Sequence, residues 1–237
     1  MARVLPPFHA PKHVGLLARF PYFNMLFNSA SAVCNITDGA SSINEISGMQ
    51  ALSGHTGNIG MFAVIDDDIS DKIFFIDRDG DTQGELTLTG TTWLDGEGVT
   101  GYTDQTSGNR YLMVCEIGDN NAVRSTKSLH RFIEPEVTGS NISIAAVDVE
   151  EIVMEFPASP TFVQSPGAGT NRGDTEACFV CPFDEKIYLF TKREFRTRIY
   201  TLPLQSSYTG TQTLTYVGEV NSAVVALTST GPSSPSP

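Results

Sequence analysis

Glu97-Gly98-Val99-Thr100-Gly101 opens on an acid and runs on through small and apolar residues. The same opening recurs at Glu45-Ile46-Ser47-Gly48-Met49 and at Glu176-Ala177-Cys178-Phe179-Val180. Around these three stretches the apolar residues come in short alternating or continuous runs bounded by Gly, Asp, Asn and Thr, with no sustained helical period. Twelve strands are expected: Glu45 to Leu52, Met61 to Ile65, Lys72 to Asp77, Glu85 to Thr89, Glu97 to Tyr102, Tyr111 to Glu116, Ser128 to Phe132, Glu151 to Phe156, Glu176 to Cys181, Lys186 to Thr191, Arg198 to Leu202 and Thr213 to Val217. They form three groups of four, each opened by one of the glutamates, which lie 52 and 79 residues apart; a Pro/Gly/Ser-rich insertion at Pro157 to Gly173 lengthens the second interval. Four-stranded units repeating at such spacing predict an all-β chain of propeller-like build, about three blades in an incomplete ring, with one strand per blade lining a channel. A two-sheet β-sandwich is the rival.

The rest of the chain frames this region. Residues 1–40 do not fit the repeat and read as an N-terminal extension, residues 41–225 as the β domain, and residues 226–237 as a Ser/Pro/Thr-rich tail. Ala223-Val224-Val225-Ala226-Leu227 resembles the first strand of a fourth unit. Three blades leave sheet edges exposed, so self-association or packing into a larger assembly is expected.

Composition excludes several function classes. A net charge of −12 repels phosphate backbones, which argues against nucleic-acid binding, and no apolar stretch is long enough for a membrane span. Between Arg19 and Lys72 there is no Lys or Arg, but Asp38, Glu45, Asp66, Asp67, Asp68 and Asp71 are all there. Ala30-Ser31-Ala32 follows a partly apolar stretch as at a signal-peptidase site, although Arg19 and Pro21 interrupt it. With the sequons at Asn35 and Asn141, it tilts an otherwise unknown compartment toward the extracellular side. Four cysteines make no disulfide scaffold. Cys178 and Cys181 are three apart in a strand and point to opposite faces, poor geometry for a shared metal or a bond between them.

Four ordered motifs carry a family resemblance. Asn44-Glu45-Ile46-Ser47-Gly48-Met49, Trp93-Leu94-Asp95-Gly96-Glu97-Gly98-Val99, Glu116-Ile117-Gly118-Asp119-Asn120 with Arg124, and Asp174-Thr175-Glu176-Ala177 are similar to the ExSGL, DWEDIA, DIGDN and xxEAL motifs of a largely uncharacterised β-propeller family. Thr191-Lys192 matches its strand-ending TK, and the similarity covers roughly residues 43 to 220. Gly96 and Gly98 stand where DWED has Trp and Asp, and Glu116 where DIGDN has its first Asp. The resemblance implies a propeller fold and leaves function open.

If the first strand of each unit lines a channel, Glu45, Glu97 and Glu176 project toward one axis, with Asp67, Asp95 and Asp119 near the same mouth and Asn120 beside them. Carboxylates so close must be protonated or bridged by a cation, and an oxygen-only donor set suits Ca2+ rather than zinc. Alternatively, these acids accept backbone amide hydrogen bonds or pair with Arg124 and Lys192, holding blades together without metal. Asp77-Arg78-Asp79-Gly80-Asp81 resembles the start of an EF-hand loop, but Thr82 and Leu88 stand where its Gly and Glu belong, so a hairpin turn is expected. No nucleophile motif or base pair is apparent. A non-catalytic binding or structural protein, calcium-binding and self-assembling, is therefore expected ahead of the alternative, a calcium-dependent hydrolase of a lactone or phosphoester.

Overall fold

The computed structural model describes residues 43, 45–121, 123–139, 141–159, 173–192 and 196–220. The 1–40 extension, the 226–237 tail, Ala223–Leu227 and most of the Pro/Gly/Ser-rich insertion lie outside them. Among the described residues no helix is long and apolar enough to cross a membrane.

The chain is all-β, in three consecutive sheets rather than the two of a sandwich. Sheet 1 starts as a meander of β1 (Ile46–Ala51), β2 (Met61–Asp66), β3 (Lys72–Asp77) and β4 (Thr82–Thr89). Sheet 2 is built on β5 (Gly96–Thr103), β6 (Arg110–Glu116), β7 (Lys127–Ile133), then, past the intervening β8 (Ile142–Ala145), on β9 (Glu150–Glu155). Sheet 3 uses β10 (Thr175–Cys181), β11 (Lys186–Thr191), β12 (Thr197–Pro203) and, past β13 (Gln212–Thr213), β14 (Thr215–Val220).

The expected strands are all present, and two more join them. On leaving β7 the chain lays β8 parallel along β4 at the edge of sheet 1, then returns as β9 to finish sheet 2. After β12 it repeats the manoeuvre, laying β13 parallel along β9 before β14 finishes sheet 3. Sheets 1 and 2 therefore each gain an edge strand from the stretch of chain that builds the next sheet, a lacing that covers backbone groups an edge would leave unpaired. The first two sheets thus have five strands, not four. Among the described residues the sheets do not close into a ring.

Packing follows the strand patterns. Sheet 2 is covered on both faces, which is why Leu112-Met113-Val114-Cys115 in β6 is continuously apolar and fully buried. Leu112 and Val114 join Ile65, Ile73, Phe75, Leu86 and Trp93 in the core between sheets 1 and 2. Met113 and Cys115 join Leu129, Ile152, Ile187, Leu189 and Tyr200 in the core between sheets 2 and 3. A disulfide links Cys115 of β6 to Cys178 of β10, stitching sheet 2 to sheet 3, while Cys181 is a free thiol. The Asp77 loop is the hairpin turn that its residues predict: Asp77 Oδ1 accepts the amides of Asp79 and Asp81, and Gly80 supplies a positive φ of 87°.

Candidate carboxylate site at the sheet junctions

The first strand of every sheet carries a register shift near its start: between Ile46 and Gly48 in β1, Gly96 and Gly98 in β5, and Thr175 and Ala177 in β10. The bulged residues are thus Ser47, Glu97 and Glu176. A bulge leaves its residue outside the ladder and re-aims its side chain, a frequent device for presenting functional groups. This corrects the equivalence of the three glutamates. Ser47, not Glu45, occupies the position of Glu97 and Glu176, while Glu45 aligns with Asp95 and Asp174, two residues before each bulge. The shared pattern is an acid, any residue, then Ser or Glu, then a small residue. Backbone bonds repeat with it, since Asp67 donates to the Glu45 carbonyl (2.9 Å), Gly118 to that of Asp95 (3.2 Å) and Lys192 to that of Asp174 (2.7 Å).

The small residue has a steric reason. A Cβ on Gly48 would lie 2.5 Å from Gly98 Cα, so β1 and β5 approach closely where their bulges meet. A Cβ on Gly118 would lie 2.4 Å from the Asp95 carboxyl carbon, so this glycine lets its loop pass over Asp95.

Two carboxylate trios result. Asp67, Asp95 and Glu97 meet at the junction of sheets 1 and 2, and Glu97, Asp174 and Glu176 at the junction of sheets 2 and 3, with ligand oxygens within 4.8 Å of one another in each trio. Glu97 belongs to both, is only 7% exposed, and receives a hydrogen bond from Ser47 Oγ at 3.2 Å. Two full charges that close repel by about 3 kcal/mol at an effective dielectric of about 20. Burial, with Glu176, Asp95 and Asp67 adding repulsion against a weaker pull from Lys192, pushes the Glu97 carboxyl up to about 8. Asp67 is also raised, by desolvation first and by Asp95, Glu45, Asp68 and Glu176 after it.

The junctions differ in how their charge is met. At the second, Lys192 bonds Glu176, and Asp174 accepts the Asp119 amide at 2.8 Å. At the first, among the described residues, no Lys or Arg pairs with Asp67 or Asp95.

Of the remaining expected ligands, Asp119 and Glu45 belong to neither trio. Asp119 is spent on an ion pair with Lys127 at 3.0 Å, both side chains 1% exposed, and on the amides of Val123 and Arg124. Those bonds hold its carboxyl below the usual range although burial opposes them. Asn120 follows it as an exposed residue. Glu45 joins neither trio; its amide donates to Asp66 Oδ2 at 2.9 Å and its charge acts on Asp67 from a distance. Of the pairs the metal-free reading expects, Lys192 bonds Glu176, whereas Arg124 pairs at 2.6 Å with Glu116, which is not one of the candidate ligands; His130 Nε2 lies 2.9 Å from the same Glu116 carboxylate. Asp174 is a trio member that the sequence reading passed over. Its signal was the spacing Asp174-Thr175-Glu176, the same as Asp95-Gly96-Glu97.

No protein-family model matches this chain, and no curated protein matches its sequence. The site's own geometry therefore carries the functional argument.

Proposed function

We propose that this is a non-catalytic binding or structural protein of β-propeller type, its sheets acting as consecutive blades, which holds a divalent cation at the junction of sheets 1 and 2. The observation that carries the reading is the trio of Asp67, Asp95 and Glu97. Three carboxylates lie within 4.8 Å of one another without a pairing Lys or Arg among the described residues. Such a group is met by a proton or a cation, and near neutral pH a divalent ion displaces the proton that Glu97 otherwise keeps. All the donors are oxygens, which fits Ca2+ and offers no nitrogen or sulfur to zinc. Asp67, Asp95 and Glu97 would be its ligands. Bound there, the ion would join a loop of sheet 1 to the opening of sheet 2 at a junction that no disulfide crosses among the described residues.

The hydrolase reading has less support. His130 is 3% exposed and held against Glu116, and His55 Nε2 is 3.1 Å from the Glu134 carbonyl; neither belongs to a trio. Lateral assembly with a second copy or a larger partner stays a proposal, and the apolar surface it would cover is on sheet 3, where Phe179 is 42% exposed and stacks on Tyr188. A monodisperse monomer in light scattering counts against assembly.

Thermal melting at pH 7.5 in chelator and in millimolar Ca2+ tests the cation. An ion bound only by the native state, at a hundredfold excess over its dissociation constant, stabilises by about 2.7 kcal/mol, a rise of about 5 °C or more. The rise should vanish in Asp67→Asn. An unchanged melting temperature in wild type refutes the cation site.

A further inference from the structure

We infer that a cavity between sheets 2 and 3, at the far end of β5 from the carboxylates, binds a small protonated amine bearing hydroxyl groups, of the amino-alcohol or amino-sugar class. Glu97 and Tyr102 are five residues apart on an extended strand, about 17 Å, so this site and the carboxylate site are separate. The cavity measures about 340 Å3, within the range of small-ligand pockets.

The one basic group in its wall is not an anion receptor. Arg131 is 4% exposed, and its Nη1 donates to Tyr102 Oη (3.0 Å) and the Gln205 carbonyl (2.7 Å), while its Nη2 donates to Glu150 and the Ser206 carbonyl (2.7 Å). Its four terminal N–H bonds are thus spoken for and its charge is met by Glu150. The guanidinium also lies against the rings of Tyr111 and Tyr208, at 5.5 and 5.4 Å. It is a fixed part of the wall.

What remains for a ligand is acidic, oxygen-rich and partly apolar. Asp104 and Glu185 are the two acidic residues among those that line the cavity. Asp104 is kept ionised by the Thr106 amide and Ser107 hydroxyl, and Glu185 has a φ of 52°, alone among described non-glycine residues in being positive. Tyr102 accepts from Arg131 but keeps its own O–H, which burial pushes up to about 12, and among the described residues that hydrogen has no acceptor. Val180, Pro182 and Leu204 supply apolar surface. An ammonium meets the carboxylates, a hydroxyl oxygen accepts from Tyr102, and a carbon skeleton lies on the apolar wall. An anion would enter a wall that carries two acidic residues and whose arginine is already engaged.

Glucosamine, glucose and glucuronate present one ring skeleton with positive, neutral and negative charge. Calorimetry and amide chemical-shift mapping on the full chain should show glucosamine binding at least tenfold more tightly than glucose, with shifts confined to residues around 102–106 and 204–206. Glucuronate should not bind. Glu185→Gln, an exposed side chain on a turn, should weaken glucosamine several-fold while the melting temperature stays put, and added salt should do the same. Equal binding of glucose and glucosamine, preference for glucuronate, shifts elsewhere, or no binding to a folded protein would each overturn the proposal. Glucosamine at the 102–106 region with no calcium response would fail the cation reading and leave this one standing.

Discussion

The two junctions between sheets are built by one local device and secured in opposite ways. Each sets a bulged Glu two residues after an acid, close to the end of the preceding sheet. The second junction is closed from within the chain: the Cys115–Cys178 disulfide crosses it, Lys192 bonds Glu176, and the buried Lys127–Asp119 pair supports Asp174 through the Asp119 amide. The first has none of these among the described residues, and its acids are left to a proton or an external cation. The same backbone geometry therefore gives a lysine-paired carboxylate group in one place and, among the described residues, a group with no pairing lysine in the other, which is where the proposed cation would bind.

Breaking the disulfide should have the largest effect. It spans 63 residues, and loop entropy puts its contribution at about 4 kcal/mol. Urea melts with and without reductant should show that loss; Cys115→Ala/Cys178→Ala should match the reduced protein and be indifferent to reductant. Next comes Lys127→Met, which leaves Asp119 buried without its partner and should cost about 3 kcal/mol in the same assay.

Acting on the first junction, Glu97→Gln changes a pH profile rather than a single value. The Glu97 carboxyl is raised to about 8 in the folded protein from an ordinary value near 4.5, so the native state binds the extra proton. Its stabilising contribution is complete below pH 4.5 and is lost as pH climbs through 8, with a slope of at most about 1.4 kcal/mol per pH unit. In chelator, wild type should lose stability across that window; Glu97→Gln should not, and calcium should flatten the wild-type curve. Lys192→Met should have the smallest effect on stability, under about 1 kcal/mol for a partly exposed pair. It removes the lysine that bonds Glu176 while leaving the disulfide and the Asp119 contacts in place, and calorimetry should then register a second calcium-binding event.

Much of this was legible in the residues, because strands announce themselves by period and the acids by spacing. Glu45, Glu97 and Glu176, each followed by small or apolar residues, carried the repeat. The bulge itself was invisible: a one-residue register slip has no composition signal, so aligning on glutamate set Glu45 where Ser47 belongs. Asp119 looked like a ligand because nothing in Glu116-Ile117-Gly118-Asp119 reveals that Lys127, on the next strand, will be buried against it. The Cys115–Cys178 pairing depends on the face-to-face stacking of two sheets, and β8 and β13 owe their strand character to edges supplied by a preceding sheet. All three are tertiary facts.

The most direct test is the titration of the Glu97 side-chain carboxyl, followed by carbon-13 NMR on selectively labelled protein in chelator and in calcium. The account predicts a midpoint near 8 without divalent ions, falling below neutrality when calcium is bound. An ordinary glutamate midpoint near 4.5 in both conditions would contradict it.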